Sequence, residues 1–377
     1  MSIIIIAPVH AWDDVRVFKK QAVSLARSGF DVKLIARIEK KDFIDGVEVI
    51  PPAGSSKNRF LRFLSIPLIS FQALFLKGEI YHLHNPDTIP IAFFLRLFGS
   101  KIIYDTHEDF TQRILSRYWL PKILRGFFAW AVGRAEVLTA RVAQASIATQ
   151  REVAERLGNK CLIIKNLPRV DDELIEQVSK LTNQINDKGC IFRVVYIGGV
   201  SPARGLYEMV DALPKVNEEI DCRLWLIGRA QQEFLESASK RKGWDYVDYF
   251  SKMAQEKAFA YVKKSDIGLI YINDVGGHAM IDPNKIYEYM TFSKPFVASN
   301  FKKWREDFEG INAGVFIEPG SSDKLSESLL KLARLDKKEL EKMGNNGKKF
   351  VDHNNWEKEY QRLLKIYEGI LGCHSAS

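Results

Sequence analysis

Three clusters in this 377-residue sequence combine residue types that could do chemistry, and the first and third follow strand-like runs. The first is Gly198-Gly199-Val-Ser-Pro-Ala-Arg204-Gly205-Leu206, between the aliphatic run Phe192–Ile197 and a helical pattern over 207–216. A glycine turn that opens a helix leaves N–H groups free at the positive end of the dipole, and Arg204 adds a full charge. The chemistry suggested is phosphate binding, although the motif alone is equally compatible with a plain turn. The second cluster is Asp282-Pro-Asn284-Lys285-Ile-Tyr-Glu288-Tyr-Met290, preceded by Gly276-Gly277-His278. Pro283 is placed to begin a helix, which puts Lys285 in the first turn and Glu288 three residues on, along one face. A lysine there can hold a phosphate and the carboxylate can accept both hydroxyls of a ribose; a capped surface helix with an ordinary Lys–Glu pair is the alternative. The third comprises Tyr81-His82-Leu-His84-Asn85-Pro86-Asp87 and Tyr104-Asp105-Thr-His107-Glu108-Asp109. His82 and His84 share a strand face and His107 could join them, but no His-Glu-x-x-His or comparable spacing supports a metal. The expectation is one histidine packed and hydrogen-bonded, another at the rim of a cleft, and no metal.

These clusters need rigid elements beneath them. Short aliphatic runs at Ile3–Ala7, Val32–Ala36, Val47–Ile50, Ile80–Leu83, Lys101–Tyr104, Ala145–Ala148 and Leu162–Ile164 alternate with helical patterns at 15–27, 60–76, 88–97, 120–142 and 150–157. That alternation predicts βαβ units around a parallel sheet. Residues 169–190 turn polar and read as a linker. A second alternation follows, with strands at Phe192–Ile197, Arg223–Ile227, Tyr246–Tyr249, Ile267–Tyr271, Phe296–Ala298 and Gly314–Ile317. The expected division is an acceptor domain over 1–168, a linker, and a nucleotide-sugar domain over 191–354. A final helix over 355–372, with Trp356, Tyr360, Leu363, Ile366, Tyr367 and Ile370 at helical spacing, needs an apolar partner.

Composition narrows the class. Apolar residues make up 46% and charged residues 27%, which excludes disorder and a polytopic membrane protein. Cys161, Cys190, Cys222 and Cys373 show no metal or disulfide spacing and read as reduced thiols of a cytosolic chain. The apolar start turns polar at His10–Asp14, too soon for a signal peptide, and reads as a buried strand. The formal charge of +8 is one-sided: residues 1–170 carry 25 Lys+Arg against 15 Asp+Glu, whereas residues 171–377 carry 30 against 32. In the basic half, Lys57, Arg59 and Arg62 adjoin the uncharged stretch 63–76. Arg113, Arg117, Lys122, Arg125 and Arg134 are interleaved with Tyr118, Trp119, Phe127, Phe128 and Trp130. That mixture suits an anionic membrane surface, and a buried helix is the alternative for 63–76. No nucleic-acid-binding signature accompanies the charge.

Taken together, the chain resembles the retaining glycosyltransferases of family 4, and within them a bacterial surface-polysaccharide subgroup. The resemblance is carried by His10-Ala-Trp-Asp13-Asp14-Val-Arg16-Val-Phe18, Tyr81–Pro90, Ile103–Asp109, Lys165-Asn166-Leu-Pro168, Gly198–Leu206, Leu226-Ile-Gly228-Arg229 and Asn284–Met290. It implies the GT-B fold, two Rossmann-like parallel-sheet domains facing a cleft, with the last helix crossing back to the first domain. It implies a donor site of Gly198, Gly199, Arg204, Gly228, Arg229, Asn284, Lys285 and Glu288. In it Arg204 and Lys285 grip the diphosphate and Glu288 holds the ribose. His107 matches the histidine against the transferred sugar; with Arg204 and Lys285 it forms the expected catalytic set. His10, Asp13 and Arg16 are the expected acceptor contacts. The chain departs from the family at Met280, where a glutamate is usual, and at Gly198-Gly199, where Gly-Arg is common.

The activity implied is metal-independent transfer of a hexose, from a UDP-sugar first and a GDP-sugar second, to a hydroxyl of a lipid-linked saccharide in O-antigen or capsule synthesis. No cofactor is expected. The protein would be cytoplasmic, held peripherally at the inner face of the membrane. The alternatives are a GT-B sugar-nucleotide epimerase and a non-catalytic partner subunit.

Overall fold

The computed structural model describes residues 1–54, 64–117, 120–169, 172–186, 191–275 and 277–372. Lys57, Arg59, Arg62, Tyr118, Trp119, Cys190, Gly276 and Cys373 lie outside the described residues. The chain divides into two units, Met1–Asn166 with Trp356–Ser377, and Leu167–Asn355.

The first unit is built on eight strands: β1 (Ser2–Ala11), β2 (Asp31–Arg37), β3 (Asp42–Ile44), β4 (Val47–Ile50), β5 (Ile80–His84), β6 (Lys101–Thr106), β7 (Ala145–Ala148) and β8 (Cys161–Ile163). Their order is β3-β4-β2-β1-β5-β6-β7-β8, parallel except for the β3–β4 hairpin. That hairpin was not expected from the sequence. Its turn is Asp45-Gly46, both at positive φ (50° and 81°), the two-residue geometry that matches strand twist. Alternation along β1 sends Ile3, Ile5 and Ala7 to one face and Ile4 and Ile6 to the other. The first face is covered by Val15–Arg27 and by the terminal helix Trp356–Leu371, which buries Trp356, Leu363 and Tyr367 against it. Each such buried side chain contributes about 2 kcal/mol. The second face is covered by helices Ile66–Phe75, Ile89–Leu97 and Lys122–Val142.

Residues 15–22 form a π-helix that passes into the α-helix Val23–Arg27. Asp14 starts it by accepting the N–H groups of Arg16 and Val17, both at 2.9 Å. The wider turn directs Arg16, Lys20 and Gln21 inward with Val17 and Phe18.

The second unit has six parallel strands: β9 (Phe192–Ile197), β10 (Cys222–Ile227), β11 (Val247–Phe250), β12 (Ile267–Ile270), β13 (Phe296–Ser299) and β14 (Gly314–Ile317). Their order is β11-β10-β9-β12-β13-β14, so the winding reverses between β9 and β12. In the first unit it reverses between β1 and β5. Ligands of such sheets bind beyond the carboxyl ends of the strands at that reversal. The stretch read as a linker is corrected in part: Asp172–Thr182 is an amphipathic helix that buries Val178 and packs within the second unit, with the Ser179 hydroxyl accepting from the Lys263 ammonium at 2.6 Å. Its apolar positions are masked in the sequence by Asp, Glu, Gln and Lys between them.

Candidate functional site

Each unit presents polar groups at its reversal point. In the second, β9 runs into Gly198 and Gly199 and β10 into Gly228. Gly198 and Gly228 adopt φ of 135° and 152°. A Cβ on Gly228 would stand 1.6 Å from the Gly198 carbonyl oxygen, so the two loops can touch only without side chains there. The Val200 N–H donates to Arg229 O at 2.9 Å, continuing the contact. Tyr196, at the end of β9, donates its hydroxyl to Gly199 O at 2.7 Å. Gly205, at φ 72°, joins the 3-10 turn Pro202–Arg204 to helix Leu206–Asn217, and a Cβ on it would lie 2.1 Å from Tyr271 O.

The helix Asn284–Thr291 brings Lys285 onto the same turn. A Cβ on Gly198 would lie 2.4 Å from Lys285 Cε, and one on Gly199 would lie 3.7 Å from Arg204 Nε. Two cations therefore flank the Gly198-Gly199 turn. Burial pulls the Lys285 ammonium below its ordinary pKa, with Glu288 acting the other way and Arg204 adding to the depression. An anion beside it would act in the opposite direction to burial. Asn284 opens the helix and Glu288 lies one turn along; Arg229 is exposed. Sequence reasoning missed Asn273, which fastens the loop: its side-chain N–H groups donate to Pro202 O at 3.1 Å and to Glu208 Oε1 at 2.9 Å. Its only sequence signal is its place just after a strand.

In the first unit the hub is Asp105, fully buried at the end of β6. Arg16 Nη2 donates to both its oxygens at 3.1 Å, and Gln21 Nε2 donates to Oδ2 at 2.7 Å. His82 Nε2 lies 3.4 Å from Oδ2. Burial alone would raise the Asp105 pKa, but Arg16 and then His82 hold it well below the carboxylate range. On the far side of His82, Nδ1 is 2.5 Å from the Tyr367 hydroxyl of the terminal helix. His84 stacks on His82, ring centroids 4.6 Å apart, and His10 meets His107 edge-on at 5.4 Å. His10 is oriented from both sides: the Asn85 amide nitrogen lies 2.8 Å from Nε2, and Asp14 Oδ2 accepts from Nδ1 at 3.2 Å. That pattern places the proton on Nδ1. Asn85 itself sits at φ 68°, ψ 165°, a region nearly reserved for glycine, and its N–H donates to Asp105 O at 2.8 Å. Backbone strain of about 1–3 kcal/mol concentrated here marks a site that the fold over-determines.

Burial lowers the His107 pKa from its ordinary 6.5 to about 4, with Arg16 adding to the effect, and burial lowers His84 well below its ordinary value. Both imidazoles are neutral at pH 7. The sequence-expected residues thus separate. His10 and His107 come together. Arg16 is 3% exposed and braces Asp105, so the expectation of a direct acceptor contact is corrected to an internal role. Asp13 is exposed, and its neighbour Asp14 orients His10 instead. His82, His84 and Asp105 have the donor set of a cation site. Their carboxylate, however, is already taken by Arg16 and Gln21, so the residues do not fit a metal without breaking that pair.

Residues 191–334 match the family model described as Glycosyl transferases group 1. The two-unit architecture is the GT-B fold: the chain is similar to a sucrose-phosphate synthase of Thermosynechococcus elongatus, TM-score 0.75 at 16% identity, covering 99% of this chain and 100% of that one. It is also similar to HepE of Anabaena in complex with UDP and glucose, TM-score 0.66 at 16% identity over 98% and 100%. A third is a UDP-forming trehalose-phosphate synthase of Burkholderia xenovorans, TM-score 0.70 at 10% identity over 98% and 99%. Among curated proteins, an uncharacterized glycosyltransferase of Methanocaldococcus jannaschii is 24% identical over 215 residues, 55% of this chain. The match spans 57% of that relative's length.

Proposed function

We propose that the protein is a retaining glycosyltransferase of the family 4 type, which moves a hexose from a nucleotide-sugar to a hydroxyl of a lipid-linked saccharide in bacterial surface-polysaccharide synthesis. The observation that carries this reading is the convergence of Lys285 and Arg204 on the Gly198-Gly199 turn, inside the segment that matches the glycosyl transferase model. UDP is the first expectation for the carrier, supported by the UDP complex of HepE and the UDP-forming synthase among similar structures, and GDP the second.

In this reaction the bond from the anomeric carbon to the diphosphate oxygen breaks, and the acceptor oxygen bonds to the same face of that carbon. The acceptor proton leaves with the diphosphate. Negative charge grows on the departing oxygens, where Arg204, Lys285 and the N–H groups of the glycine turn stabilise it. Glu288 takes the ribose hydroxyls, and the neutral His107 imidazole orients the sugar. Removing one such donor costs about 3 kcal/mol of transition-state stabilisation, about a hundredfold in rate. The test is nucleoside diphosphate release over a panel of nucleotide-sugars with lipid-linked acceptors; Arg204→Ala or Lys285→Ala with unchanged turnover overturns the assignment.

The acceptor places the protein at an anionic membrane surface. Helix Lys122–Val142 turns Ala129, Gly133, Glu136 and Ala140 inward and leaves Ile123 (89% exposed), Phe127 and Trp130 (61%) outside, the reverse of ordinary amphipathicity. Phe75 (77%) and Leu97 (84%) project from the two other helices covering the same sheet face. Lys122 and Arg134 lie among them, and the first unit carries 27 Lys+Arg against 18 Asp+Glu. Among the described residues no helix is long and apolar enough to cross a membrane; the attachment proposed is peripheral, through this exposed face. Binding to anionic liposomes that weakens with salt is the expected result; equal binding to neutral and anionic vesicles counts against it.

A further inference from the structure

We propose that the first unit takes a neutral, hydroxyl-bearing glycosyl group and rejects sugar phosphates, and that Asp105 sets this preference; the inference rests on the transfer reading above. Three buried or half-buried cations of the first unit, Arg16, Lys20 and Arg156, are engaged by partners, although Arg16 Nε and Arg156 Nε themselves make no hydrogen bond. Arg16 is held at two points by Asp105 and gives its other amine to Ile164 O at 3.3 Å. Lys20 donates to the Asn166 side chain at 2.8 Å. Arg156, beyond His107, spans Glu136 and Asp109, both at 3.0 Å. Beside His10, the Asp14 carboxylate has only a histidine and backbone N–H groups as partners, and it is held well below the ordinary range.

What the reversal point offers instead is neutral polarity without partners. Gln21 Oε1, both ring nitrogens of His84, Asn85 Oδ1 and His107 Nδ1 are buried and make no hydrogen bond. Buried polar groups left this way call for a partner, an ordered water or a ligand hydroxyl. Imidazole and amide atoms offer donors and acceptors without net charge, and a hydroxyl, which both donates and accepts, completes them. A phosphate only accepts, carries charge, and would be desolvated beside Asp14. In the second unit the opposite holds, since Arg204 and Lys285 stand over a glycine turn.

The test uses the full-length protein saturated with UDP, with histidine ring resonances followed by NMR. Methyl glycosides of glucose, galactose and mannose and N-acetylglucosamine are compared with glucose 6-phosphate, fructose 6-phosphate and inorganic phosphate. The expected result is that a neutral sugar perturbs the His107 ring while the phosphates do not, and that Asp105→Asn, which unpairs Arg16, gains about tenfold or more in glucose 6-phosphate affinity. A wild-type protein that binds glucose 6-phosphate at His107 more tightly than every neutral sugar overturns the inference, as does a complete lack of response to neutral sugars. A folded Asp105→Asn protein with unchanged phosphate affinity overturns the role of Asp105. If that variant does not fold, the wild-type comparison decides alone. Failure of UDP and GDP to bind at all would instead refute the transferase reading, and is scored separately by calorimetry.

Discussion

The two reversal points share a strand order and differ in how they use cations. In the second unit Lys285 and Arg204 are brought to an exposed glycine turn, one from a helix start and one from a 3-10 turn. In the first, Arg16 is turned inward by a π-helix and neutralised by Asp105. The same topology thus presents two cations at a glycine turn in one half and a cluster of imidazoles beside a paired arginine in the other. Topology chooses the place, while the depth at which a cation is set chooses the chemistry.

This contrast can be broken most forcefully at Asp105. Asp105→Asn leaves Arg16 buried without its counter-charge, and the expected cost is about 3–5 kcal/mol, read from the denaturant midpoint. A loss below about 1 kcal/mol would show that the pair is not the strut described. Second in size is the cradle itself: Gly228→Ala forces the β9 and β10 loops apart, and a loss of about 3 kcal/mol in stability with loss of nucleoside diphosphate binding is expected. Retained binding in that variant would separate the loop contact from the anion site.

A third effect concerns pH. His107 has a folded-state pKa of about 4 against an ordinary 6.5, so between those values the unfolded chain binds a proton that the folded chain refuses. Stability therefore falls as pH drops from 6.5 towards 4, by at most about 3 kcal/mol, and His107→Gln should flatten that slope. Asp105 acts lower, because its depressed pKa contributes stability above about 3.9 that is lost on further acidification. The smallest effect is expected at Tyr367→Phe, which removes the hydrogen bond to His82 for about 1 kcal/mol and should leave nucleotide binding unchanged.

Much of the scaffold was legible in the sequence because parallel strands buried on both faces read as continuous aliphatic runs. Phe192–Ile197, Ala145–Ala148 and Gly314–Ile317 fall at the expected residues. The helix Asp172–Thr182 was obscured by its charged face, and β3 by its length of three residues. Of the candidate site, the glycine turn and the Asn284–Glu288 helix start were visible because each is a short continuous run of sequence. The Asp105 hub was not, since its partners arrive from 84 and 89 residues away and its net charge appears only after they meet. Asp13 and Asp14 show the limit plainly: adjacent identical residues, one at the surface and one setting the His10 tautomer, distinguished by the cap that starts a π-helix.

The terminal helix carries a further consequence. Tyr367 reaches His82 across 285 residues of sequence, and Trp356 and Tyr360 donate to Ser24 and Ser28. In order of synthesis the second unit is therefore an insertion within the first. On the ribosome Leu167–Asn355 is complete before the first unit has its last helix, so the earlier-made half finishes folding later. Until then its β1 face lacks the cover of Trp356, Leu363 and Tyr367, and the nascent chain carries an unfinished apolar surface for the whole time the second unit is being made.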